Sequence, residues 1–109
     1  MQHEAALQRE ILRLYGAHPR LRLWRANAGR AFVPTARGGL RTIQVNIPGC
    51  PDIIGWLRPH GRFVGIECKS DRGRLRPEQA AFRDRLVADG GIYVEARCVE
   101  DVDRVIRDA

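Results

Sequence analysis

The stretch Asp52-Ile-Ile-Gly-Trp-Leu-Arg58, followed by Pro59-His60-Gly61 and then Arg62-Phe-Val-Gly-Ile-Glu-Cys-Lys69, decides the fold. Two apolar runs flank a Pro/Gly turn, the pattern of a β-hairpin whose strands are covered on both faces. Taking His60-Gly61 as a two-residue loop sets Pro59 opposite Arg62 and Asp52 opposite Lys69. Side chains alternate across a strand, so Glu67 and Lys69 share one face, and in this register Asp52 joins them. A slip by one residue would send Asp52 to the other face.

Working outward, Leu7, Ile11, Leu14 and Tyr15 predict an amphipathic helix over 3–16, with Glu4 and Gln8 one turn apart on it. Leu21 to Asn27 reads as a strand, Gly29 to Gly39 as a loop, and Ile43, Val45 and Ile47 as a half-buried strand before the turn at Pro48-Gly49-Cys50-Pro51. Beyond the hairpin, Asp71 to Arg76 is a basic loop, and Pro77 opens a helix to about Asp89 that buries Phe82 and Leu86. Ile92 to Arg97 is a last strand and Glu100 to Arg107 a last helix. The expected architecture is α/β, a mixed β-sheet flanked by helices in the order α, β, β, β-hairpin, α, β, α, forming a single domain over 1–109. Trp24, Trp56 and Phe63 lie within apolar strands and read as core, the alternative being base-stacking platforms.

Composition narrows the function. Of 109 residues, 19 are Lys or Arg and 13 Asp or Glu, a formal charge of +6 that favours a polyanionic partner. Nothing resembles a membrane span or a signal peptide, which points to a cytoplasmic protein with no membrane partner. Cys50, Cys68 and Cys98 have neither zinc nor disulfide spacing and read as small buried hydrophobes. Eighteen of the 19 basic residues are Arg, and the solitary Lys is Lys69. An ammonium is compact and able to shift its pKa on burial, which a guanidinium is not.

Charges at the edge of an apolar sheet are costly unless paired or metal-bound, so Asp52 with Glu67 marks the candidate site. Two carboxylates plus the Cys68 backbone carbonyl make an all-oxygen ligand set suited to Mg²⁺ or Mn²⁺. A lysine beside such an ion can orient the attacking water or steady charge on a phosphate. The chemistry this suggests is metal-dependent phosphodiester hydrolysis. Arg72, Arg74 and Arg76, with Arg25, Arg30 and Arg37, read as phosphate contacts that position DNA, the alternative being solvated charged loops.

Pro51-Asp52 and Glu67-Cys68-Lys69 at hairpin separation resemble the signature of the PD-(D/E)xK nuclease superfamily. Glu4 with Gln8, Arg25-Ala-Asn-Ala-Gly29, Gly49-Cys-Pro-Asp-Ile-Ile-Gly55 and Pro77-Glu-Gln79 before Phe82 resemble its VRR-NUC family, over nearly the whole chain. The resemblance implies a restriction-endonuclease-like core, dependence on Mg²⁺ or Mn²⁺, and homodimers that cleave branched DNA such as Holliday junctions, in repair, recombination or phage DNA processing. It carries metal ligation to Asp52 and Glu67, the catalytic lysine to Lys69, a metal- or water-holding role to Glu4 and a bracing role to Gln79. Asn27, in the matched Arg25–Gly29 stretch, joins the DNA-contacting set. Glu4 can also be read as an acidic first-turn residue and Gln79 as a solvated one. Cys68 stands where the family usually has a branched apolar residue, and Arg76 where Ser is common. Two other functions fit the same fold: an inactive or accessory DNA-binding module, and a sequence-specific restriction-type endonuclease.

Overall fold

The computed structural model describes residues 3–26, 30–44 and 46–109. Helix α1 (His3–Tyr15) places Leu7, Ile11 and Tyr15 one turn apart, and all three are buried. Strand β1 (Leu21–Arg25) buries Leu21 and Leu23 on that side. Strand β4 (Ile53–Leu57) adds Ile53 and Leu57, and β5 (Arg62–Cys68) adds Val64, Ile66 and Cys68. Val94 and Ala96 of β6 (Ile92–Ala96) and Val102 and Ile106 of helix α3 (Val99–Asp108) complete one core. The side chains of Ile11, Ile53 and Ile66 are wholly withdrawn from water, a burial that stabilises by about 2–3 kcal/mol each.

The main sheet runs β1-β4-β5-β6. Its first two pairings are antiparallel and the third, β5 with β6, is parallel. A parallel neighbour cannot be reached by a tight turn, so the chain crosses through helix α2 (Pro77–Ala88). Helices α1 and α3 lie on the core face, and α2 lies on the other, with Leu86 against Gly65 and Gly91. The two apolar hairpin strands are therefore not covered throughout on both faces. Over β1 and β4 the α2 face is open, leaving Trp24 and Trp56 45% and 41% exposed; Phe63, on β5 beside Phe82 and Leu86 of α2, is 39% exposed, so none of the three is core.

Two further differences from the sequence reading concern the segment before the hairpin. Its Gly- and Pro-rich stretch contains a strand, β2 (Arg30–Pro34), which pairs antiparallel with β3 (Leu40–Gln44) as a separate two-stranded ribbon. Turn-forming residues there serve the Thr35–Gly39 reversal instead of a long loop, with Thr35 N–H donating to the Gly39 carbonyl at 2.9 Å. The strand expected around Ile43 to Ile47 begins earlier, at Leu40; Val45 lies outside the described residues, and Ile47 is exposed.

The hairpin register also differs. Leu57 pairs with Arg62 and Ile53 with Ile66, so the connection is the four residues Arg58–Gly61, not a two-residue loop. The pairing moves by two positions, which puts Asp52 opposite Glu67 instead of Lys69. Because the shift is even, the faces are unchanged. Among the described residues no helix is long and apolar enough to cross a membrane.

Candidate active site

Four elements deliver side chains to one cleft of about 360 Å³, lined by Glu4, Asp52, Glu67, Lys69 and Gln79 together with the Pro48–Cys50 turn, Arg76 and Glu78. Asp52 comes from the start of β4, and its Oδ2 accepts the Cys68 N–H at 2.9 Å. Glu67 lies near the end of β5 and Lys69 directly follows that strand, at 4% and 8% exposure. Glu4, in the first turn of α1, reaches across to accept the Ser70 N–H through Oε2 at 3.1 Å. Gln79 comes from α2 and is the one fully buried side chain of that helix, a polar residue where an amphipathic helix would bury an apolar one.

The orientation of Gln79 is fixed from behind. Its Oε1 accepts the Arg76 N–H at 2.9 Å, which turns its Nε2 toward Glu67 Oε2 at 3.2 Å. The same bond satisfies a backbone donor at the N-terminus of α2, where Arg76 has no side-chain oxygen to offer as a cap. Lys69 Nζ stands 3.5 Å from Glu67 Oε2. The second oxygen of Glu67, Oε1, is buried without a hydrogen-bond partner.

Charge in the cleft is held under strain of desolvation. Burial pushes the Glu67 carboxyl up to about 7, and the Asp52 charge beside it adds to the rise while Lys69 opposes it. Asp52 is also raised, first by burial, with the Cys68 N–H working against the shift. Burial likewise raises the thiols, Cys50 somewhat and Cys68 to about 12, so both stay protonated and neither offers a thiolate. Cys98, expected inside, is exposed at the start of α3.

The donor set suits a hard divalent cation. It presents carboxylate oxygens, one of them unpartnered and buried, and the thiol at its wall, Cys50, stays protonated. Among the described residues, no three His, Cys, Asp or Glu side chains converge closely enough to hold an ion by themselves. A backbone oxygen such as that of Cys68, between Glu67 and Lys69, belongs to the set the sequence suggests.

The expected DNA-contacting residues are spread over three places. Arg72 and Arg74 are exposed in the loop between β5 and α2, and Arg76 reaches the cleft while pairing with Glu78 at 3.0 Å. Arg25 is exposed at the end of β1 opposite Ile53, and Arg37 is exposed in the turn of the β2–β3 ribbon. Arg30 starts β2. Asn27 lies outside the described residues.

Sequence reasoning missed a second brace. Arg97 follows β6; its guanidinium donates to the Ser70 carbonyl and pairs with Glu95 at 2.5 Å, while its N–H donates to Asp101 at 2.9 Å. It ties the residue after Lys69 to the start of α3. The only signal was the alternation of Glu95 and Arg97, which a single strand cannot connect to a distant Ser.

The family model for the VRR-NUC domain matches residues 2–100. The chain belongs to the VRR-NUC family. That membership gives it a nuclease-type function, and the α/β fold with its mixed four-stranded sheet is consistent with a nuclease-like core. A search of curated proteins found no match to the chain. VRR-NUC nucleases typically use divalent metals, which accords with the oxygen-rich cleft described above.

Proposed function

We propose that this VRR-NUC chain, acting as one domain over 1–109, is a metal-dependent DNA endonuclease selective for branched structures such as Holliday junctions, working as a homodimer. One observation carries the catalytic part of this reading. Asp52, Glu67, Lys69, Glu4 and Gln79, from separate parts of the chain, line a single cleft, and one carboxylate oxygen of Glu67 is buried without a partner.

Asp52 and Glu67, with the Cys68 carbonyl and Glu4 nearby, would hold Mg²⁺ or Mn²⁺. When bound, such an ion supplies Lewis-acid stabilisation of phosphate charge and a more acidic water. Lys69 places its ammonium at the wall of the cleft, where it meets a phosphate oxygen or orients the attacking water. Gln79 keeps Glu67 from rotating, and Glu4 holds the backbone at Ser70 so that Lys69 projects from a fixed strand end. Arg72, Arg74 and Arg76 beside the cleft, with Arg25, Arg30, Arg37 and Asn27, bind the phosphates of the arms. Selectivity for branched DNA and the two-fold dimer rest on the family resemblance, with one physical motive: two opposed strands of a junction must both be cut.

The test is incubation of the protein with a synthetic four-way junction and with its linear arms, in Mg²⁺ or Mn²⁺ across a salt series. Paired nicks near the branch point, lost in Asp52→Asn and Lys69→Ala, are the expected result. Cleavage undiminished in those variants would overturn the site assignment. Discrete fragments from linear plasmid would favour a sequence-specific enzyme, and salt-sensitive binding without product a DNA-binding module.

A further inference from the structure

The α2 face of the sheet carries exposed aromatic residues on the same side as the cleft. Across the sheet, Arg22 of β1 pairs directly with Trp56 of β4, and Trp56 with Phe63 of β5. In the adjacent row Trp24 pairs with Ile54. Alternation along β4 puts Trp56 and Ile54 on the same face as Asp52, and alternation along β5 puts Phe63 on the same face as Glu67 and Lys69. The two tryptophan rings touch diagonally, 5.7 Å between centroids and 73° between planes, which leaves ring surface open to solvent at the exposures given above. At a rise of about 3.3 Å per residue, Trp56 lies roughly 13 Å along β4 from Asp52.

Charge identifies the occupant. Arg22 lies on this face and Arg58 follows β4 at its rim; both are exposed, and among the described residues neither meets a carboxylate. Two copies of the chain stacked on this face would bring guanidiniums together, whereas a phosphodiester backbone would neutralise them. Exposed aromatic faces between unpaired guanidiniums form a stacking platform for unpaired nucleobases.

We propose that Trp24, Trp56 and Phe63 form a binding platform for single-stranded DNA, which engages the unpaired strand of a branched substrate as its backbone enters the cleft. This rests on the nuclease reading and adds to it a requirement for unpaired bases next to the scissile linkage. Stacking is indifferent to sequence, so the platform selects strands by their lack of pairing.

The test exploits the fact that Trp24 and Trp56 are the only two tryptophans of the chain. In EDTA, so that nothing is cleaved, an oligothymidylate of about a dozen nucleotides is titrated while tryptophan emission is followed. Strong quenching, absent with an abasic strand of equal length, is expected. Trp24→Ala and Trp56→Ala should each weaken binding about tenfold, and Trp→Phe at either position should retain most of it. With metal, the Ala variants should lose cleavage of a branched substrate with an unpaired strand more than cleavage of nicked duplex. Should the Ala variants misfold, the comparison of thymidylate with the abasic strand still decides. Equal quenching by the abasic strand, or no quenching, overturns the platform. So does an emission shift that depends on protein concentration alone, which would assign the face to a second copy. Failure of the nuclease reading is separate: it appears as Asp52→Asn cleaving like the parent, whatever the quenching shows.

Discussion

Gln79 faces Glu67 with its nitrogen and not its oxygen, because the oxygen is already taken by the Arg76 N–H. The side-chain amide thereby connects the first turn of α2 to the end of β5, while the other Glu67 oxygen, Oε1, stays buried without a partner. Gln79→Ala should remove both bonds, lower stability by about 1–2 kcal/mol and cut cleavage at least tenfold. Gln79→Glu should do worse, since it sets a second buried carboxylate against Glu67. Thermal denaturation and junction cleavage measured side by side check both.

Lys69 stands 3.5 Å from Glu67 Oε2 and is almost fully buried. Lys69→Arg keeps the charge but cannot fit a planar fork where a compact ammonium sits. It should lose cleavage nearly as completely as Lys69→Ala, by about two to four orders of magnitude. Single-turnover rates at saturating protein give the comparison without interference from binding.

Stability of the metal-free protein should fall as pH rises from acid to neutral. The Glu67 carboxyl is raised in the folded state from 4.5 to about 7 by burial and by Asp52. The folded chain therefore holds that proton more tightly than the unfolded chain does. The resulting stabilisation is complete below the unfolded value and disappears as pH rises through about 7. A melting-temperature series in EDTA should decline between these limits, and Glu67→Gln should flatten it. A divalent ion that engages ionised Glu67 should restore stability at neutral pH and above.

Gly49 sits in the turn that leads to Asp52, with φ at +81° and its absent Cβ directed at the Glu78 carbonyl, which would lie 2.0 Å away. Both the backbone conformation and the contact exclude a side chain. Gly49→Ala should cost more than about 2 kcal/mol and displace α2, so Gln79 would lose Glu67. The check is loss of cleavage beyond what the drop in melting temperature accounts for, measured well below the unfolding transition.

Much of this molecule was legible because its chemistry and its packing coincide in one hairpin. Asp52, Glu67 and Lys69 could be set on one face from alternation alone. That inference survived a misjudged turn because the four-residue connection moved the register by two rather than one. The exposed tryptophans were not legible. An apolar strand looks the same whether a helix covers one face or both, and only the position of α2 over β5 and β6 decides it. Strand β2 was hidden by the Gly and Pro residues around it, whose turn signal was real but belonged to a tighter reversal. The contact of Gln79 with Glu67 has a local cause that no motif states, the backbone donor of Arg76.

The parallel junction of β5 with β6 obliges the polypeptide to detour between them, and that detour is where Arg72, Arg74, Arg76 and Gln79 reside. On the proposed reading, one stretch of chain thus answers both to connectivity and to catalysis. Opening the backbone between Asp71 and Leu75, with the old termini joined, would separate the two obligations. All strands could still align, but the basic loop and the glutamine would hang from one tether instead of two. Folding would then tolerate the cut better than turnover would.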